Sequence, residues 1–140
     1  MKSLFSIIHN EDLSTIEINN PSVFAKIQLN QGASLQELTI NNHELIKDLH
    51  PLTYSNTYAS SILFPFANRI KDGSYEFKGK NYQFDINEKE LNNAMHGLVY
   101  DKTFEILKKE TSEVSASVKL VYHEKEKCKG FPFNYSVYLE

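Results

Sequence analysis

The alternation of apolar and polar side chains over residues 114–122 most constrains what this chain can fold into. Val114, Ala116, Val118, Leu120 and Tyr122 are interleaved with Ser115, Ser117, Lys119 and Val121. A period of two places one set on a core and the other near water, which is the geometry of a half-buried strand. The pattern recurs where Phe133, Tyr135, Val137 and Leu139 alternate with Asn134, Ser136, Tyr138 and Glu140, and Gly130 with Pro132 breaks the chain between the two runs. Shorter runs span residues 13–18, 22–29, 34–40 and 44–47. Asn19-Asn20-Pro21 and Asn41-Asn42 between them are turn residues that tolerate positive φ. Residues 52–59 read as a loop, and no segment carries a helical stripe. Many short strands joined by Asn, Gly and Pro turns predict an all-β chain, an antiparallel β-sandwich.

At 140 residues the expectation is one domain over residues 1–140, with a core of its own. No apolar run approaches the roughly 20 residues that a membrane helix needs, so no membrane partner is expected. The net charge is −3, and the lysines are interspersed with acids rather than gathered into the coherent basic stripe that nucleic acid requires. No nucleic-acid partner is expected either. The alternating charges of residues 124–129 read as a solvated turn between strands. The one cysteine, Cys128, lies in that turn and has no partner for an internal disulfide or a thiolate cluster, which fits a reducing, cytoplasmic setting. Acidic residues follow the short apolar start before any small-residue cleavage site, so no signal peptide is expected.

The segment that speaks about chemistry is 60–97. An apolar run at 62–66, broken by Pro65, delivers Asn68 and Arg69 at its end, where polar side chains leaving a buried strand point to solvent or a cleft. Gly73 after Asp72 and Gly79 between two lysines mark turns, so residues 74–77 and 81–86 read as hairpin arms. A polar loop with Asn87, Asn92 and Asn93 then leads to Met95-His96-Gly97. On residue type alone, Arg69 reads as half of a surface ion pair with Asp72, and Asn68 as a turn residue that bonds its own backbone and aims Arg69. The histidines His9, His43, His50 and His123 read as structural or exposed, none at the spacing of a metal pair. Glu76 and Asp85 read as solvated charges on the hairpin, and Ser60 and Ser61 stand in no nucleophile motif.

The ordered set Asn68-Arg69-Ile70, Gly73, Tyr75, Phe77, Gly79, Tyr82, Asn87 and His96-Gly97 resembles the aldose 1-epimerases, the galactose mutarotases. Gln31-Gly32-Ala33-Ser34-Leu35 is similar to the family's early glycine-containing turn, and Lys129-Gly130-Phe131-Pro132 to its later G-[FY]-P turn. The resemblance implies the N-terminal part of a galactose mutarotase-like supersandwich. It also implies a cofactor-free isomerase that interconverts the α and β anomers of free hexoses in carbohydrate metabolism, with a small aldohexose as its partner. By that likeness Arg69 and His96 are the catalytic candidates, His96 positioning the sugar near the reacting centre. Asn68, Arg69, His96 and Gly97 are the substrate-binding candidates.

The resemblance implies that the family's base, a glutamate, and its acid, a second histidine, are to be expected beyond residue 140; separately, the strand pattern of 133–140 stops mid-run as though cut. The 140 residues alone are therefore expected to lack a general acid and base. An open sheet edge there is expected to invite self-association. A carbohydrate-binding β-sandwich module without catalysis, and a purely structural piece of a larger chain, are the alternatives. Free sugar against phosphosugar stays open, and Phe77 is expected in the core.

Overall fold

The computed structural model describes residues 4–140. Five strands, β1 (Ser6–Asn10), β2 (Thr15–Asn20), β3 (Val23–Gln28), β4 (Ser34–Ile40) and β5 (His43–Ile46), form a meander in sequence order. A single helical turn, α1 (Tyr54–Thr57), and an irregular stretch lead to β6 (Arg69–Lys71), β7 (Ser74–Phe77), β8 (Lys80–Gln83) and β9 (Asn93–Met95). The last three strands, β10 (Glu105–Thr111), β11 (Ala116–His123) and β12 (Ser136–Leu139), make a second sheet with β11 in the middle. All strand pairings are antiparallel, β6 with β9 and β7 with β8 included. The expected all-β, antiparallel architecture is thus observed.

Local chemistry sets the turns. Asn20 Oδ1 accepts the backbone N–H of Ser22 and of Val23 at 2.8 and 2.7 Å, an Asx turn that reverses the chain between β2 and β3. Asn41 and Asn42 both take positive φ, 49° and 64°, the turn that matches the twist of a two-residue hairpin. The two larger sheets pack face to face. Ile16 and Leu29 from the first side meet Val118 and Leu120 of β11, with Val99 and Phe104 between them, all buried. Ile7, Ile18 and Ile27 flank this cluster on one sheet and Ile106, Tyr122, Val137 and Leu139 on the other. This interleaving of inward-facing residues is what makes the assembly a sandwich.

The structure corrects several expectations. The run at 62–66 is not a strand: the Phe64–Pro65 bond is cis, and proline there has no N–H to give a ladder. Val114 is 86% exposed because it lies in the β10–β11 turn, whose backbone bonds run from Ser112 N to Ser115 O. Val121, expected on the polar face, is fully buried; it lies on the central strand β11, opposite Glu105 of β10 and Tyr138 of β12. Phe77 is 44% exposed, meeting the edge of Phe133 and the ammonium of Lys78. The buried aromatic of that hairpin region is Phe84, 3% exposed and packed on Tyr75 and Phe66. β1 and β10 went unread in the sequence, and β12 starts at Ser136 rather than at Phe133.

Candidate functional site

Three residues of β6 pair with three of β9, Arg69 opposite Met95, Ile70 opposite Ala94 and Lys71 opposite Asn93. So short a ladder is extended by one further bond, in which His96 N–H donates to the Asn68 carbonyl at 2.9 Å. The 26 residues between the Asn68-Arg69 pair and His96 are therefore looped out, and the two ends lie side by side on neighbouring strands. Asn68 (φ 62°) and His96 (φ 67°) both adopt the left-handed region, where Asn and His are among the non-glycine residues most often found. Each of these residues turns the chain as it meets the ladder. The structure thus brings Asn68, Arg69, His96 and Gly97 together.

Gly97 carries φ 75°, and a Cβ there would run into the backbone carbonyl of Phe64. That carbonyl accepts Leu98 N–H at 2.6 Å. The close approach that glycine permits here is made to the chain's own irregular segment, which holds the His96 turn down. Gly32 plays the matching part from the first sheet. Its φ is 64°, it donates to the Lys102 carbonyl at 2.9 Å, and it leaves no room for a side chain against Tyr100. Tyr54 of α1 donates its hydroxyl to the Tyr100 carbonyl at 2.8 Å. Tyr75 donates to the Gly130 carbonyl at 2.6 Å, so the later glycine turn braces the 60–97 segment, while Gly32 braces the residues that follow it.

The guanidinium of Arg69 does not meet Asp72, whose carboxylate accepts instead from Asn92. Its partner is Glu88, which the sequence reading passed over. Arg69 Nε donates to Glu88 Oε2 at 2.7 Å and Nη2 to Oε1 at 2.6 Å, a two-point fork, while Nη1 donates to Asn68 Oδ1 at 3.1 Å. Asn93 Nδ2 adds a third donor to Glu88 Oε2 at 2.7 Å. Hydrogen bonds from Arg69 and then from Asn93 pull the Glu88 carboxyl down to about 2, because each favours the charged form. The same bonds push Arg69 upward from its ordinary value. Asn68 does help to aim Arg69, with its side chain rather than through its own backbone.

His96 sits among aromatic rings. Tyr58, itself in the left-handed region at φ 49°, places its ring 4.8 Å from the imidazole, and Tyr100 closes edge-on at 5.3 Å from Tyr58. Nδ1 of His96 is buried without a hydrogen-bond partner. Burial lowers the His96 pKa, the charge on Arg69 lowers it further, and Glu88 opposes that second effect. Burial and Arg69 thus favour the uncharged ring. Asn87 fixes the strand from the other side, accepting Met95 N–H at 2.7 Å and donating to the Met95 carbonyl at 2.8 Å. It also donates to the Tyr100 hydroxyl at 3.1 Å. A cavity of about 220 Å³ shares Asn87, Met95, Gly97 and Tyr100 with this site but is not lined by Arg69 or His96. The arrangement can donate hydrogen bonds and hold positive charge; among the described residues no group of three or more His, Cys, Asp or Glu is placed to hold a metal ion.

Glu88, Asn93 and Tyr58 were missed by the sequence reading. A signal was available in the adjacent Asn87-Glu88 and Asn92-Asn93 pairs, polar residues crowded into the loop that precedes His96. Of the other residues considered, Asp85 pairs with Lys129 at 3.1 Å, and His123 Nδ1 meets Ser136 Oγ at 2.6 Å on the surface. Neither approaches the site through any hydrogen bond.

Residues 14–140 match the family model for aldose 1-epimerase. The chain is 31% identical over 102 residues to YihR, an uncharacterized protein of Escherichia coli (strain K12), covering 73% of this chain and 32% of that protein. A galactose mutarotase-like protein from Clostridium acetobutylicum superposes with a TM-score of 0.74 at 26% identity, over 89% of this chain and 40% of the other. The galactose 1-epimerase of Lactobacillus acidophilus NCFM superposes with a TM-score of 0.70 at 20% identity, over 99% of this chain and 43% of that one, a likeness of fold. The chain thus spans less than half the length of each of these relatives.

Proposed function

This chain belongs to the aldose 1-epimerase family, and from that premise we propose that it forms the sugar-holding part of an isomerase that interconverts the α and β anomers of free hexoses. The observation that carries the reading is the β6–β9 junction, which sets the Arg69 fork and the His96 imidazole on adjacent strand ends. In mutarotation a base removes the proton of the anomeric hydroxyl while an acid protonates the ring oxygen. The C1–ring-oxygen bond breaks to give the open aldehyde, C1 turns, and the hydroxyl re-adds from the other face. Arg69 stays charged at any working pH and does neither proton transfer; its role is to favour the negative charge that develops on oxygen as the ring opens. Burial favours the uncharged form of His96, and with no partner at Nδ1 the proton of that form is best placed on Nε2, as a donor to a sugar oxygen. Tyr58 and Tyr100 offer aromatic surface beside it.

This reading assigns the acid and base that the family likeness implies to residues other than Arg69 and His96, so its division of labour is binding and charge stabilisation by these two, proton transfer by others. A cytoplasmic role in hexose metabolism goes with this reading. It is tested by polarimetry of freshly dissolved α-glucose or α-galactose, with buffer as blank, on the 140 residues and on the full-length gene product. The full-length product is expected to accelerate anomer exchange. Each positioned acid or base contributes about 100-fold to 10,000-fold, so the 140 residues are expected to show only a trace of that rate. Comparable rates from both would place the acid and base within this chain. Saturable sugar binding with no acceleration by the full-length product would favour a binding module.

A further inference from the structure

We propose that Glu88 is the positioning residue of this site: by gripping Arg69 at two points and offsetting part of its charge, it makes the guanidinium a hydrogen-bond donor for neutral sugars rather than an anchor for anionic ones. The proposal rests on the reading of the junction as a sugar site, and it names a residue and a substrate class that the reading leaves open.

An arginine free at a strand end would be a flexible cation able to take a phosphate or carboxylate in the same fork geometry with which it takes Glu88. Here that fork is already filled, by Oε1 and Oε2 of Glu88 at 2.6 and 2.7 Å. The carboxylate is in turn held by Asn93, a buried residue of β9, so both strands of the junction contribute to the grip. The Glu88 side chain is 16% exposed against 47% for that of Arg69, so the acid lies beneath the guanidinium and leaves its far side open. Nη1 faces Asn68 Oδ1 at 3.1 Å, which orients the plane of the group. The backbone adds its own constraint: Glu88 N–H donates to the Asn93 carbonyl, and Asn93 N–H to the Glu88 carbonyl, both at 3.1 Å. Glu88 cannot swing away without opening that bridge. A sugar approaching the open side meets remaining N–H donors on a group whose charge is partly offset, which suits hydroxyls. An anionic substituent would meet the Glu88 carboxylate just behind.

The test is made on the full-length gene product with galactose and galacturonate, aldoses that differ in charge on one ring scaffold. Glu88→Gln keeps the size of the side chain and removes the charge and one of the two acceptors facing the fork. For galactose, kcat is expected to fall about ten-fold with KM little changed, since the guanidinium loses one of the two bonds that hold it in the orientation ring opening needs. The ratio of kcat/KM for galacturonate to that for galactose is expected to rise about ten-fold, because one unit of nearby negative charge is gone. Glu88→Asp, which keeps the charge on a shorter arm, is expected to lower kcat while leaving the charge preference in place. A third readout needs no turnover: the His96 titration, followed by NMR, should move downward in Glu88→Gln, since the carboxylate that offsets Arg69 is lost. A folded Glu88→Gln with unaltered kcat and charge preference overturns the proposal, as does an unmoved His96 titration. Should Glu88→Gln not fold, Glu88→Asp decides alone: loss of rate with neutral preference kept supports the proposal, and no change overturns it. If the unmodified protein turns over no aldose, the isomerase reading fails by itself, and the His96 titration still reports whether Glu88 governs the charge at the site.

Discussion

The five-stranded sheet β1–β5 and the two-stranded junction β6–β9 are both antiparallel, yet they hold their shape by opposite means. In the sheet, ladders of up to six residue pairs run beside a packed face, and Ile16 and Leu29 beneath it are at most 5% exposed. Left-handed residues such as Asn41 and Asn42 are confined to its turns and bends. In the junction only three residues pair with three, and the left-handed residues Asn68 and His96 are themselves candidate site residues. What fixes that ladder is side-chain chemistry: Asn87 clamps Met95, Asn93 grips Glu88, and Glu88 grips Arg69. A buried face positions side chains cheaply wherever a strand is long. A site that must leave its polar groups open to a ligand lacks that face and relies on directed hydrogen bonds instead.

Breaking the first kind of support should have the largest effect. Phe104 is 1% exposed between the two large sheets, so Phe104→Ala is expected to cost about 3–5 kcal/mol, read as a drop in the urea midpoint. Arg69→Ala attacks the second kind: it should lower kcat/KM for an aldose about 100-fold in the full-length product and leave the thermal midpoint close to that of the parent. Comparable loss of stability from both changes would mean that the junction is scaffold rather than site. Gly97→Ala lies between the two. A left-handed alanine pressed against the Phe64 carbonyl should cost about 1–3 kcal/mol, and because His96 is its neighbour, activity should fall further than stability alone explains.

Acidification sharpens the contrast more gently. The pKa of His96 is lowered from its usual 6.5 in the folded chain, chiefly by burial. The unfolded chain therefore takes up that proton first, and stability should decline as pH falls below about 6.5. Glu88, pulled down to about 2, remains ionised across that window, and its grip on Arg69 is lost only as pH falls toward 2. Urea titrations at pH 7.5 and 5.5 should differ, and His96→Gln should shrink the difference; an unchanged difference would show that His96 is not its source. The smallest effect is expected from Phe77→Ala, about 1 kcal/mol or less, since that ring is 44% exposed and loses little apolar contact.

How far the sequence reached differs between these regions for the same reason. The strands at 15–20, 34–40 and 116–123 were legible because one face of each is buried and the chemistry repeats every second residue. Val121 and Phe77 were misjudged because alternation reports a strand's two faces but not what each face meets. Asn68, Arg69, His96 and Gly97 were legible through their order along the chain and its likeness to a family. Glu88, 19 residues from Arg69, carried no such mark.

The residues by themselves determined that the chain would be antiparallel β structure and where most of its turns would fall, and their order carried the likeness to a family. These follow from local preferences: alternating side chains, asparagines and glycines that accept positive φ, prolines that refuse a ladder. The pairing of Arg69 with Glu88 instead of Asp72, the imidazole of His96 against the Tyr58 ring, and the glycine contacts of Gly32 with Tyr100 and Gly97 with Phe64 were decided only by tertiary structure. Each depends on which groups, distant along the chain, the fold brings into contact. That is set by the packing of one sheet on another and has no period along the chain.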